Sequence, residues 1–218
     1  MTQKENKAIF TEDDVRKLLD SCYEKCLYGV LQVSPGVEEL AKDYLKYHRK
    51  KEEACKVMLR SQIAKCATSG FLTSFGGIFT LPVAFPANLA SNLYVQMRMI
   101  ACVAYMNGYE LRSEQTQTFV YACLAGVDVK GLVKPTDVKV GAKLTYGVIK
   151  KVPAKVLMQI NKKVLSRLVA RFGSKGILNL GKLLPGVGAV VGGGFDLLEA
   201  KEVADRAYKW FREGDFSV

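Results

Sequence analysis

Two acidic side chains are the residues best placed for proton transfer in this sequence. Asp196 and Glu199 lie three positions apart behind an apolar stretch, and on a helix they would share one face, where they could act in a pocket as acid and base. The helix dipole also stabilises carboxylates in a first turn, so a structural role explains the same pair. His48 lies among charges in YLKYHRKKEE, where we expect an exposed side chain. The sequence therefore assigns no catalytic residue and favours a non-enzymatic protein.

Metal and cofactor sites are not predicted. Cys22 and Cys26 are one helical turn apart, but a zinc site needs four ligands, and no second pair or nearby histidine accompanies them. The sequence GILNLGKL at 176–183 resembles a phosphate-binding loop, yet Leu183 occupies the position that requires a hydroxyl. The sequence GVGAVVGG at 186–193 lacks the preceding strand of a dinucleotide site. We attribute these glycines to close helix packing and predict that the six cysteines are reduced core thiols.

Arg98 interrupts an otherwise apolar pattern in NLYVQMRMIACVAYM. A guanidinium at such a position must reach solvent, a lipid phosphate or an internal carboxylate, because an isolated buried charge is costly. Asp196 is the candidate partner, since it follows the other uncharged, glycine-rich segment of the chain. We predict a buried pair between Arg98 and Asp196, with snorkelling of Arg98 to the surface as the alternative.

One segment carries the whole net charge of the protein. The formal net charge is +11, and residues 130–175 hold twelve basic side chains but one acid, Asp137, which leaves the remainder neutral. Apolar residues recur every four positions there beside a parallel row of cations, which predicts basic amphipathic helices of the type that bind anionic lipid. The residues predicted to contact an anionic lipid or partner are Lys143, Lys151, Lys155, Lys163 and Arg167.

The residues from Ala67 to Met97 include no acidic or basic side chain. A membrane-spanning helix needs about 20 mostly apolar residues, whereas glycines and prolines interrupt the first half of this run and polar amides lie in the second. We therefore do not expect a conventional transmembrane protein. The run should pack in the core, with shallow contact with lipid as the alternative, and we expect it to pack against the glycine-rich segment at 176–195.

Helical periodicity dominates the chain, and no alternating strand followed by a hairpin turn is evident. The pattern predicts an all-α protein, a single multi-helix bundle. Thr11 should cap a first helix that runs to about Leu31. A second helix should follow Pro35 and continue through the charged HRKKEE stretch, and another should run from Pro86 to about Met106.

A later helix should begin near Ser113, and Pro153 should divide the basic segment into two helices. We assign residues 1–34 to an N-terminal helix, 35–213 to the main helical domain and 214–218 to a short tail. The first residues are charged and lack the apolar region of a signal peptide. A cytoplasmic location is therefore expected.

Two long segments resemble the EcsC protein family. They are SGFLTSFGGIFTLPVAFPANLASNLYVQMRMIACVAYMNGYEL and KVPAKVLMQINKKVLSRLVARFGSKGILNLGKLLPGVGAVVGGGFD, and a closing A-x3-F helix follows from Ala207 to Phe211. The resemblance covers residues 35–213, although Leu165 stands where the family pattern leads us to expect glycine. The family takes its name from a protein encoded beside an ABC exporter and linked to secretion. The resemblance implies a bacterial helical protein at or beside the membrane and no catalytic residue.

The leading prediction is a non-enzymatic accessory protein that associates peripherally with the cytoplasmic membrane face, with an anionic membrane surface or a membrane protein as its partner. An enzyme that acts on lipid or peptide, with the acid pair at Asp196, is the first alternative. A nucleic-acid-binding protein is the second, because cationic helices also suit phosphate backbones. We rank it last because Tyr146 and Phe172 are the aromatic residues of the basic segment, too few to stack on bases.

Overall fold

The computed structural model describes residues 10–31, 33–66, 85, 87–133, 145–172 and 190–217 of the chain. Within these residues every regular element is helical, apart from an isolated bridge between Val30 and Ser34. The prediction of an all-α multi-helix bundle is confirmed. The described helices are α1 (Glu12–Tyr28), α2 (Val37–Tyr47), α3 (Lys51–Cys66), α4 (Ala87–Met106), α5 (Glu114–Ala125), α6 (Tyr146–Ile149), α7 (Ala154–Phe172) and α8 (Val190–Ala207), and α8 continues into a π-helical turn at Tyr208–Arg212.

Helix α4 lies at the centre of the bundle, where α1, α2, α3, α5 and α8 pack against it. Its side chains from Leu93 to Ala104 are all buried, including the polar Gln96 and Arg98, so this helix contacts protein on every side. Residues 93–97 of the uncharged run therefore lie in the core. The predicted packing of that run against the second glycine-rich segment falls mainly outside the described residues. None of the described helices is long and apolar enough to cross a membrane.

The N-terminal cap of α1 is the one that the sequence predicts. Thr11 Oγ1 accepts a hydrogen bond from the Asp14 backbone N–H at 3.1 Å, and Asp14 Oδ2 accepts one from the Thr11 N–H at 2.9 Å. This reciprocal arrangement satisfies two backbone donors that the first helical turn leaves without partners. The cap therefore defines the residue at which the helix begins.

The C-terminal end of α1 comes earlier than the predicted Leu31. The helix stops at Tyr28 because Gly29 adopts a left-handed conformation, with φ at +81°, and the chain turns back to form the bridge between Val30 and Ser34. A Cβ atom at Gly29 would lie 2.7 Å from the Ser34 carbonyl oxygen. Glycine is therefore required both for the backbone angle and for the close approach.

The predicted second helix is in fact two helices. Helix α2 ends at Tyr47 and α3 begins at Lys51, because His48 adopts an extended conformation with φ −126° and ψ 125°. The break allows α2 and α3 to pack against each other and against α4. A continuous helix would carry its second half away from the core, so burial of both apolar sides favours the break over helical continuity.

The C-terminal residues complete the aromatic part of the core. Trp210 and Phe211, in the π-helical turn, are both buried, and the ring of Phe216 lies 5.0 Å from that of Trp210 and 5.6 Å from that of Phe211. Trp210 Nε1 donates a hydrogen bond to the Ser217 carbonyl at 2.9 Å. The segment after residue 213, which we assigned to a tail, therefore contributes a fully buried aromatic side chain.

Candidate functional site

Helix α7 presents apolar and basic side chains on opposite sides. Pro153 precedes this helix and separates it from α6, as predicted. The apolar side, which includes Leu157 and Val164, is buried against α1 and α5. Four of the exposed cations of α7 and of the turn before it form a surface that we call the basic face. It consists of Lys151, Lys155, Lys163 and Arg167.

The basic face carries positive charge that the described structure does not neutralise. Among the described residues, no carboxylate lies within ion-pair distance of its four cations. Lys143, the fifth predicted contact residue, lies outside the described residues. Met158 lies on the same helix, and 70% of its surface is exposed. Helix α7 therefore carries an exposed apolar side chain as well as uncompensated cations.

The two residues of the candidate acid pair, Asp196 and Glu199, both lie in α8. Glu199 pairs with Arg171, at the end of α7, so its carboxylate has a structural partner. Asp196 lies in α8, but its side chain lies outside the described part of the structure. The described residues thus give Glu199 a role in joining α7 to α8.

Arg98 is buried, with 1% of its surface exposed. Its Nη2 donates a hydrogen bond to the Pro35 carbonyl at 3.0 Å, and its Nε has no partner among the described residues. No carboxylate in the described part of the chain forms an ion pair with it. Snorkelling to the surface is therefore not observed. The pairing with Asp196 stays a prediction.

The five cysteines whose side chains the structure describes, Cys22, Cys26, Cys55, Cys102 and Cys123, are buried thiols. All five are free, and no group of histidine, cysteine or acidic side chains in the described residues could hold a metal ion. Burial raises the pKa of Cys22 to about 12. Burial also raises the pKa of Cys26 and of Cys102, although the Arg98 charge opposes the effect at both. Because the thiolate is the nucleophilic and metal-binding form, these residues serve as small apolar core side chains.

A groove of about 520 Å³ lies between α1, α5 and α7. Leu19, Val164 and Leu165 supply its buried apolar part, and Met158 stands at its edge. Its charged lining consists of the cations Arg16 and Lys162 and the carboxylates Glu12, Asp20 and Glu114. Within the described residues, no ion pair joins any two of these five side chains. The groove therefore presents both signs of charge to whatever enters it.

Five polar side chains that line the groove form hydrogen bonds with one another, and we call them the polar strip. They are Asp20, Gln117, Thr118, Tyr121 and Asn161. Tyr121 donates to Asp20 Oδ1 at 2.8 Å, and Gln117 Nε2 donates to Tyr121 Oη at 2.8 Å and to Asp20 Oδ1 at 3.3 Å. Thr118 Oγ1, one turn earlier on α5, accepts from Asn161 Nδ2 at 3.2 Å. Asn161 Oδ1 is buried and has no partner among the described residues. Burial, reinforced by the Asp20 charge, raises the pKa of Tyr121, so its phenol remains a donor.

Comparison with known families identifies the chain. A model of the EcsC protein family matches residues 3–213 of the 218. The chain belongs to the EcsC protein family. No curated protein and no solved structure gives a significant match. The family match begins well before residue 35, where our resemblance began, and it includes α1, α5 and α7, the three helices that form the groove.

The residues of this EcsC protein at which we compared the family pattern lie in its core. Ala207 and Phe211, the ends of the closing A-x3-F pattern, are both buried, so the pattern is a core contact. Leu165, which departs from the expected family pattern, is buried and lines the groove. The polar strip was not predicted from the sequence. Its residues come from three separate helices, so no local motif could indicate them.

Proposed function

We propose that this EcsC-family chain is a non-enzymatic accessory protein that binds an anionic membrane surface peripherally, at the cytoplasmic face. The observation that supports the proposal is the basic face, whose four cations are exposed together and have no carboxylate partner among the described residues. Uncompensated cations attract anionic headgroups, whereas salt-bridged cations present little net field. A membrane protein with an acidic cytoplasmic surface would be attracted in the same way.

The strength of this attraction can be worked out from the number of cations. Each lysine or arginine near an anionic membrane contributes about 1 kcal/mol, so the four cations contribute about 4 kcal/mol, or roughly a thousandfold in partition. The exposed Met158 adds a smaller apolar contribution. Salt should weaken the interaction strongly, since the Debye length falls to about 8 Å at physiological ionic strength. The result is reversible binding.

The two aromatic side chains of the basic segment favour a membrane over nucleic acid as the anionic partner of the basic face. Tyr146 packs edge-on against Tyr109, with ring centroids 5.7 Å apart. Phe172 is buried at the end of α7. Neither ring is presented for stacking on bases, which is the usual source of affinity for single strands. The basic face therefore offers charge without a stacking surface.

Vesicle flotation tests the proposal. We expect the full chain to float with vesicles that contain phosphatidylglycerol and to remain behind with vesicles of phosphatidylcholine alone. In a Lys155→Glu/Lys163→Glu variant, each reversal removes about 1 kcal/mol of attraction and adds a similar repulsion. Partition onto anionic vesicles should therefore fall by at least about a hundredfold.

A charge-matched variant serves as the control. Lys46→Glu/Lys50→Glu makes the same change in net charge at exposed positions on α2 and in the turn after it. This control should retain most of the binding, because its residues lie outside the basic face. Equal partition onto neutral and anionic vesicles, or an equal loss of binding in the two variants, would contradict the proposal.

A further inference from the structure

The groove between α1, α5 and α7 contains opposite charges that form no ion pairs among the described residues. Arg16 and Lys162 line it together with three carboxylates, one of which, Asp20, accepts the hydrogen bonds of the polar strip. Within the described residues none of the cations pairs with any of the acids. A ligand of one sign would be repelled by one of the two sets. A zwitterion can place each of its charges next to the opposite one.

Asn161 specifies which kind of positive group the groove can accept. Its Nδ2 donates to Thr118 Oγ1, and its Oδ1 is buried without a partner among the described residues. Solvent does not reach this oxygen, so the Asn161 amide must turn toward the groove before a ligand can donate to it. The new hydrogen bond would then add affinity, because a buried acceptor without a donor is unfavourable. A primary ammonium has three N–H donors. A quaternary ammonium has none and would leave Oδ1 without a partner.

The cations of the groove specify the negative group. Arg16 and Lys162 supply an arginine and a lysine, the residue types that commonly bind phosphate oxygens. Arginine binds them by paired hydrogen bonds, and lysine binds them as a point charge. Lys162 and Asn161 both line this groove. Met158, at the edge of the same groove, offers apolar contact to whatever is attached to the phosphate.

We propose that this groove binds a phosphoethanolamine group, with the phosphate at Arg16 and Lys162 and the ammonium at Asn161 Oδ1 and Asp20. The group can come from phosphatidylethanolamine in a membrane or from a free phosphodiester such as glycerophosphoethanolamine. The lipid source rests on the proposed membrane contact, because α7 supplies both the groove and the basic face. The free source does not depend on it.

The lipid arm of the test compares two vesicles with the same fraction of phosphatidylglycerol. The remaining lipid is phosphatidylethanolamine in one and phosphatidylcholine in the other, so that only the ammonium changes. Wild-type protein should bind the first about tenfold more tightly, the value of one hydrogen bond to a charged group. Asn161→Leu should abolish this preference. Gln159→Leu, on the exposed side of α7, is the matched control and should retain it.

The free arm uses glycerophosphoethanolamine and glycerophosphocholine with the protein in solution. Binding measured by nuclear magnetic resonance should be seen with the first compound and be at least about tenfold weaker with the second. Lys162→Ala should weaken binding of the first compound. This variant changes an exposed side chain, so it keeps the test decisive if Asn161→Leu fails to fold, which circular dichroism will reveal.

The two arms separate this inference from the proposed function. Equal binding of both vesicles, together with no binding of glycerophosphoethanolamine, overturns the inference even if the basic-face variant still loses vesicle binding. If the protein binds glycerophosphoethanolamine but none of the vesicles, the result supports the groove as a site for the free compound and refutes the membrane proposal. A vesicle preference that survives both Asn161→Leu and Lys162→Ala assigns the preference to bilayer properties and also overturns the inference.

Discussion

The burial of Arg98 leads to a quantitative prediction about Asp196. Arg98 is 1% exposed and donates a hydrogen bond to the Pro35 carbonyl. It has no carboxylate partner among the described residues. The acidic residues whose side chains lie outside the described part are Glu5, Asp137 and Asp196. Of these, Asp196 belongs to a helix that packs against α4, the helix that carries Arg98. We therefore predict that these two side chains form a buried ion pair.

The expected energies follow from the cost of a buried charge without a partner. Removing one member of a buried pair costs about 3–5 kcal/mol. In a protein of this size, 1 kcal/mol lowers the Tm by about 2–4 °C, so Asp196→Asn and Arg98→Met should each lower the Tm by roughly 6–20 °C. The double variant leaves no net charge in the core. Its loss should be smaller than the sum of the two single losses by about 2 kcal/mol or more.

Thermal unfolding followed by circular dichroism, on the wild type, both single variants and the double variant, measures this coupling. Glu202→Gln removes an exposed carboxylate from the same helix as Asp196 and should leave the Tm close to that of the wild type. The reasoning would be refuted by an Asp196→Asn variant that unfolds at the wild-type temperature. Strictly additive losses in the double variant would refute it equally.

Two further predictions concern local stability. Gly29→Ala should destabilise the fold by more than about 1 kcal/mol, because φ is +81° and the new Cβ would lie 2.7 Å from the Ser34 carbonyl oxygen. Urea unfolding measures this loss. The control is Gly131→Ala, since no atom lies within 4 Å of the Cβ that would be added there. The hydrogen bond from Lys130, 2.6 Å away, lowers the pKa of Asp215 to about 2. A carboxylate whose pKa is lower in the folded state adds stability above its unfolded pKa and loses it as the pH falls through the folded one. Asp215→Asn should therefore lower the free energy of unfolding by about 1 kcal/mol or less at pH 7, since both partners are about half exposed. A loss of stability that persisted unchanged below about pH 2 would contradict this explanation of the lowered pKa.

Helix boundaries with a local chemical cause were predictable from the sequence. Ser113 caps α5 through a hydrogen bond that its side chain accepts from the Thr116 N–H, and α4 ends at Met106, before Gly108 in a left-handed conformation. The break at His48 could not be predicted in the same way. No proline or glycine marks it, and it is favoured because both α2 and α3 gain contact with α4. Tertiary packing therefore decided a boundary where local propensity indicated continuity.

The basic face and the groove differ in how far the sequence could predict them. Apolar and basic residues alternate with helical period along α7, so the sequence placed Lys155 and Lys163 on an exposed side, where the structure has them. The groove has no such signal, because Asp20, Tyr121 and Asn161 belong to α1, α5 and α7. Tyr121 and Asp20 are 101 positions apart in the chain. Only the packing of the three helices brings these polar groups together.

Helix α7 allows attraction to a surface and recognition of a headgroup to be varied separately. Successive residues of an α-helix are rotated by about 100°, so Asn161 and Lys163 point in nearly opposite directions from the helix axis. Charge reversal at Lys163 therefore changes the field at the basic face without replacing a group in the polar strip. Replacement of Asn161 alters the polar strip and leaves the net charge unchanged. If both proposals hold, the first change should lower binding to every anionic vesicle, and the second should remove only the preference for vesicles that contain phosphatidylethanolamine.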